Sequence, residues 1–276
     1  SSAASDVYKR QALGHHGRFH TLWRDMIWWD GTRSKGVEIK DVWLKDVGVV
    51  RLAAATPAGV PVVLAAKAGH NAENHNQNDV GSLILHIGGE SFLCDPGRGL
   101  YSRDYFGPRR YENIFANSFG HNVPRIGGQL QSAGAEFHGE ITRYNMGGAE
   151  KRAAMTFEKA YAVPELEKAE RSLRLSAAGE MVLEDTFLFS ETPLPVEEAF
   201  VTWLDTTVSG RTARIVGRER EVELTIEAPV DATWSLEVLT KDSEANAKPI
   251  PLKRLTFNIS PPSDRIVAQV RARTLP

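Results

Sequence analysis

From Val47 onward the chain alternates apolar and polar residues in one short segment after another, and this rhythm of two restricts the fold more than any other feature. Successive side chains of an extended chain point to opposite faces, so segments of this kind build sheets with one face on a core. The pattern predicts strands at 47–55, 61–68, 82–87, 91–95, 170–177, 181–189, 213–218, 221–228, 233–240, 254–260 and 265–272. Turn signals such as Gly88-Gly89 and Ala178-Gly179-Glu180 join several of them as hairpins. Helical spacing is almost absent after residue 46, so the chain is expected to be all-β, with antiparallel sheets packed as a sandwich rather than a parallel α/β fold.

Residues 1–45 have a different texture. FHTLWRDMIWWD puts Phe19, Leu22, Trp23, Met26 and Ile27 at spacings of three and four, one face of a short helix, with Trp28 and Trp29 directly after. His15, His16 and His20 belong to this preamble and are given no site role. The expected organisation is a helical segment or linker over 1–45 and a β-sandwich over 46–276. Between Pro96 and Gly148 the alternation fades and Gly, Asn and Arg accumulate, which suggests a functional loop system rather than scaffold.

Charge narrows the partners. Thirty-three basic against thirty-five acidic residues leave a formal charge of -2, so no field gathers nucleic acid or an anionic membrane. An acidic ligand would need local basic groups. The single cysteine, Cys94, has no internal partner for a disulfide, and no apolar run approaches the ~20 residues of a membrane helix.

Chemistry-bearing residues concentrate between His70 and Asn122, in GHNAENHNQNDVGSLILHIGGESFLCDPG and RDYFGPRRYENIFANSFGHN. His75, Gln77 and Asp79 recur at period two and would share a face if the segment were extended. His75, set among asparagines with no apolar neighbour, suits proton transfer, because imidazole titrates near ~6.5. Asp95 ends an apolar run and reads alone as a turn residue, yet with Gln77 and His121 it makes a set of donors for a divalent ion. Arg103, Arg109 and Arg110 interleave with Tyr105, Phe106 and Tyr111, a mixture that offers forked recognition of carboxylate or sulfate and rings that stack on sugar faces. Tyr111, directly after the arginine pair, is a site candidate, and Asn76 and Asn122 beside the two histidines join Arg109, Arg110 and Tyr105 as substrate-binding candidates. His86 reads as an outward strand residue.

The order GHNAENHNQNDVGSLIL, FLCDPG, YSRDYFGPRRYE, HNVP and GGQ resembles the C-terminal β-sheet part of the heparinase II/III superfamily of polysaccharide lyases, with the specific match over roughly 69–130. The resemblance implies a β super-sandwich that follows an α/α toroid, with an acidic, uronate-containing polysaccharide in the cleft between them. It also implies β-elimination: a base removes the proton α to the uronate carboxylate, the carboxylate is neutralised, and an acid protonates the departing glycosidic oxygen. His75 falls on the first histidine of the family's His-x-His motif, a catalytic or carboxylate-neutralising position. Arg110 and Tyr111 fall on its Arg-Tyr pair beside the cleft, and Tyr111 is assigned with His75 to catalysis.

Asp95 and His121 fall on two ligands of a structural zinc, and Gln77 stands where the third is commonly histidine. An amide is a poor zinc ligand, so any zinc is expected to be weak or absent, and replacement of Gln77 by His should tighten it. The toroid would lie upstream, with its last helix in 1–45, so the chain is expected to hold half of an active site and to expose apolar surface around Trp23, Trp28 and Trp29. The implied location, from the family alone, is periplasmic or secreted. The alternative is a carbohydrate-binding or structural β-module without catalysis, because His75 and the arginines suit holding a uronate without moving its proton.

Overall fold

The computed structural model describes residues 39–148, 150–190, 192–260 and 264–275, together with Trp23, Ile27, Trp28 and Gly31. Two compact units emerge, Ser1–Glu38 and Ile39–Pro276. In the first, the described Trp23, Ile27 and Trp28 are helical and at least half exposed. Phe19, Leu22, Met26, Trp29 and the three histidines of the preamble lie outside the described residues.

The second unit is all-β. Its strands begin with β1 (Val42–Leu44), β2 (Val49–Ala55), β3 (Pro61–Lys67), β4 (Gly69–Asn71), β5 (Leu83–Ile87) and β6 (Glu90–Leu93). After a long loop come β7 (Arg125–Ile126), β8 (Gly134–Asn145), β9 (Glu150–Thr156), β10 (Leu166–Ser176), β11 (Met181–Phe189) and β12 (Val196–Thr202). The series closes with β13 (Asp205–Ser209), β14 (Thr212–Val216), β15 (Glu221–Ala228), β16 (Ser235–Leu239), β17 (Leu252–Ile259) and β18 (Arg265–Thr274). The expected strand at 233–240 gives way at Thr240 to a short helix, α1 (Thr240–Ala245).

Three antiparallel sheets result. One has the order β1-β2-β3-β5-β6, a larger one β13-β14-β15-β18-β11-β10-β9-β8-β4, and the smallest β16-β17-β12-β7. Inward residues of all three meet in one core, with Leu52, Leu64 and Leu85 from the first, Leu173, Leu183 and Val270 from the second, and Phe200 and Phe257 from the third. A smaller cluster of Cys94, Phe115, Val201, Leu239 and Leu252 lies under the long loop, and burial pushes the Cys94 thiol up to about 12.

Where the sequence lacked a strand signal, the surroundings explain it. Strand β8 falls in the region read as loop because most of its residues are partly or fully exposed, leaving little to alternate. Strand β12 is buried on nearly every residue, so VEEAFVT shows no period of two either. The charged Glu198 in its middle disguises it further.

Candidate functional site

Two connections carry the chemistry: residues 72–82 between β4 and β5, and residues 94–124 between β6 and β7. Neither is extended. His75 has φ +59°, in the left-handed region, and is exposed, while Gln77 is half-buried and Asp79 buried. The expected common face of His75, Gln77 and Asp79 is therefore not formed. Asparagines bend this stretch, since their side chains bond nearby backbone and favour turns over ladders. The Asn76 amide accepts from the Glu73 N–H (3.3 Å) and donates to Asn78 Oδ1 (3.0 Å) and to the Tyr111 hydroxyl (3.3 Å).

Asn76 thus ties the His75 loop to the Arg-Tyr pair. The Arg110 guanidinium donates from Nε (3.2 Å) and Nη2 to the Asn76 carbonyl, and from Nη1 to the Tyr105 carbonyl (3.1 Å). It fastens two loops, and its fork is directed at carbonyls. Arg109 is exposed and ion-paired to Glu112 (2.8 Å) and Asp104 (3.5 Å), a hydrogen bond and charge that hold its guanidinium above the usual arginine range. Tyr105 is buried; its hydroxyl accepts from the Gly99 N–H (3.2 Å) and donates to the Phe115 carbonyl (3.5 Å). Asn122 is wholly buried, donating to the Leu83 (2.7 Å) and Cys94 (2.8 Å) carbonyls and accepting from the Val201 N–H (2.7 Å). Of the substrate-binding candidates, Tyr105, Asn76 and Asn122 therefore lie inside the scaffold, because their polar groups complete backbone that no ladder satisfies.

The exposed face beside His75 is built from other residues. The imidazole stacks on Tyr101 (centroids 6.2 Å, 21°) and meets the edge of Phe106 (6.1 Å, 84°), while the Arg98 guanidinium lies 3.9 Å over the Tyr101 ring. Tyr101 and Phe106 are both about half exposed. Lys248 pins the loop behind them, donating to the Pro96 (3.0 Å) and Arg98 (2.7 Å) carbonyls; burial and the charge of Arg98 lower its ammonium below the usual lysine range.

A second group lies nearby. His121 is fully buried and neither ring nitrogen has a hydrogen-bond partner. Its Nδ1 is 3.8 Å from Asp95 Oδ2, and ligand atoms of Asp79, Asp95 and His121 all fall within 4.8 Å of one another. An orphaned imidazole between two carboxylates fits a divalent cation of the zinc type. Gln77, named from the sequence as third ligand, directs its Nε2 to the Phe115 carbonyl (2.9 Å), and the carboxylate brought to Asp95 and His121 is Asp79. Asp79 also accepts from Lys67 Nζ at 2.6 Å. Burial pulls the Lys67 ammonium down, but Asp79 and Glu73 outweigh it and hold it above the usual range.

Both connections hang from one buried arginine. Arg171, inward on β10, faces Asp185 of β11 in register, bonds its carboxylate at 2.6 to 3.1 Å, and lies 3.5 Å from Glu198 of β12. Its Nη1 donates to the Gly81 (2.7 Å) and Asn122 (2.6 Å) carbonyls, one in each loop. Gln131 clasps both the N–H and the carbonyl of Val80, and Tyr161, whose phenol burial keeps well above its ordinary range, donates to the Pro124 carbonyl (2.6 Å).

The family sequence model described as Heparinase II/III-like, C-terminal matches residues 39–249. The chain belongs to this family. Solved structures agree in fold with this heparinase-like domain. Heparan sulfate lyase HepC from Pedobacter heparinus aligns at 14% identity and TM-score 0.70 over 98% of this chain and 41% of that one. The heparinase III BT4657 gene product gives 13% identity and TM-score 0.72 over 98% and 42%. A further heparinase III gives 18% and 0.64 over 86% and 36%. The chain thus spans about two fifths of the length of the first of these. No curated protein matches it by sequence.

Sequence reasoning missed the heparinase-like domain's Asp79 as a neighbour of Asp95 and His121, Tyr101 and Arg98 as neighbours of His75, and the anchors Arg171 and Gln131. Asp79 carried a signal in its place beside the histidine motif. Arg171 carried one too: a charge at an inward position of an otherwise apolar alternation, between Ala169 and Leu173.

Proposed function

We propose that this domain forms one wall of the active site of a lyase that cleaves uronate-containing polysaccharide by β-elimination. The observation that carries the reading is the Asn76 junction, which joins the loop bearing the exposed His75 to the Tyr111 hydroxyl and the Arg110 guanidinium. His75 handles the proton α to the carboxylate or neutralises that carboxylate, and Tyr111 takes part in proton exchange. The electron pair of the broken C–H bond forms the ring double bond as the glycosidic oxygen departs with a proton. Tyr101, Phe106 and Arg98 supply stacking surface and positive charge to the sugar, and Arg109 reaches a carboxylate or sulfate by exchanging its acidic partners. Asp79, Asp95 and His121 would hold zinc, which when bound cross-links the two loops and so fixes their shape.

The solved heparan sulfate lyase that shares this fold makes heparan sulfate the first substrate to try. A toroid domain would supply the opposite wall and the partner acid or base, and the exposed Trp23, Ile27 and Trp28 suit contact with it. The implied setting is the periplasm or the cell exterior. The test is incubation of this chain, and of a longer form carrying an upstream toroid, with uronate polysaccharides while following unsaturated product by ultraviolet absorbance. Product from the longer form, lost in His75→Ala, is the expected result. Binding without product in both forms would favour a carbohydrate-binding module.

A further inference from the structure

Lys67 extends from the end of β3 and lines a cleft of about 160 Å³ with Asp79, Ser82, Leu83 and Asp95. Its Nζ is 2.6 Å from Asp79 Oδ1 and 3.4 Å from Glu73 Oε2. One of the two carboxylates grouped with the orphaned His121 imidazole therefore already carries a cation that belongs to the protein. We propose that Lys67 is a resident competitor for the Asp79, Asp95 and His121 group: it neutralises Asp79 when no metal is bound, and a divalent ion enters only as the ammonium moves to Glu73. The inference rests on reading that group as a metal site.

Two opposing facts define the competition. An ammonium and a dication drawn to one buried carboxylate repel each other strongly, even at an effective dielectric of ~20. Glu73, on the same loop and within reach of the flexible lysine stem, gives the displaced charge a partner, so exchange does not strand it. Asp79 then turns from an ion-pair partner into a ligand, and the amide at Gln77 does not have to serve as one. Affinity is set by the balance between Asp79 and Glu73 as hosts for Lys67.

The experiment titrates the 276-residue chain with zinc chloride against a chromophoric competing chelator, at fixed pH and ionic strength, with circular dichroism melting as the folding control. Lys67→Gln, which keeps a hydrogen bond to Asp79 without the charge, should bind zinc at least ~10-fold more tightly than the parent chain. Glu73→Gln should bind it several-fold more weakly, and His121→Ala and Asp79→Asn should lose it. If Lys67→Gln fails to fold, Glu73→Gln decides, with weakened zinc binding as support and unchanged affinity as refutation. Unchanged or weaker binding by folded Lys67→Gln, while His121→Ala still loses zinc, would overturn the role of Lys67 and leave the metal site standing. Binding that is absent throughout, or indifferent to His121→Ala, would remove the metal reading and this inference with it.

Discussion

The sandwich and the two site loops are equally buried in places, yet different forces hold them. In β10, β11 and β18 the inward positions are mostly apolar, as at Leu173, Leu183 and Val270, and ladder bonds satisfy the backbone. In the loops the buried residues include Asn76, Asn78, Ser118, His121 and Asn122, and side chains bond the backbone in place of ladders. A loop that must keep a fixed shape without repetitive pairing needs polar side chains aimed at its amides and carbonyls. The two regimes meet at Arg171, a charge in the core whose guanidinium reaches both loops.

Breaking that meeting point should have the largest effect. Arg171→Met leaves Asp185 buried without its partner, and stability should fall by about 3 to 5 kcal/mol in urea unfolding. Adding Asp185→Leu should recover much of it. If the single substitution is harmless, the loops do not hang from the core. Next, Asn122→Ala strips partners from two carbonyls and the Val201 N–H, and should cost about 3 kcal/mol although it removes little apolar area. A loss near zero would mean that water replaces those bonds.

Glu198 sharpens the contrast by pH. Burial and the neighbouring charge of Asp185 push its carboxyl well above the ordinary glutamate range, outweighing Arg171. A carboxyl raised in the folded state binds its proton more tightly there than in the unfolded chain, so this contribution is complete in acid and is lost as pH rises from the ordinary range through the folded value. Glu198→Gln, neutral throughout, should flatten that decline in urea unfolding between acid and mildly alkaline pH. An unchanged slope would show that Glu198 is ionised in the fold. The smallest effect belongs to Arg109→Ala at the exposed rim: melting should not move, while binding of an acidic oligosaccharide to a form carrying the proposed toroid weakens and loses part of its salt dependence. A shifted melting temperature would place Arg109 with the anchors instead.

Much of the sandwich was legible because its signal is one of exposure. Met181–Phe189 and Glu221–Ala228 coincide with their predicted limits, each having one face in the core and one outward. Strands β8 and β12 were invisible because nearly uniform exposure, or nearly uniform burial, erases alternation. At the site the sequence named candidates by residue type, and the fold gives several of them a geometry other than the expected one. Arg110 and Asn122 are polar residues in a polar stretch, and nothing local distinguishes a side chain aimed at sugar from one aimed at a carbonyl 34 or 39 positions away. The period of two placed Gln77 beside His75, whereas the left-handed turn at His75 leaves Asp79 beside Asp95 and His121.

The anchors described above grip main chain almost everywhere. Asn122 holds the carbonyls of Leu83 and Cys94, Arg171 those of Gly81 and Asn122, and Arg110 that of Asn76. A bond to a carbonyl asks nothing of the side chain on the same residue. Substitutions can therefore accumulate along the gripped segments while the grip persists, and lineages sharing only 14% of their residues can retain a TM-score of 0.70. In such a scaffold a few gripping side chains fix the shape of the loops, and the side chains on the residues they hold are free to change.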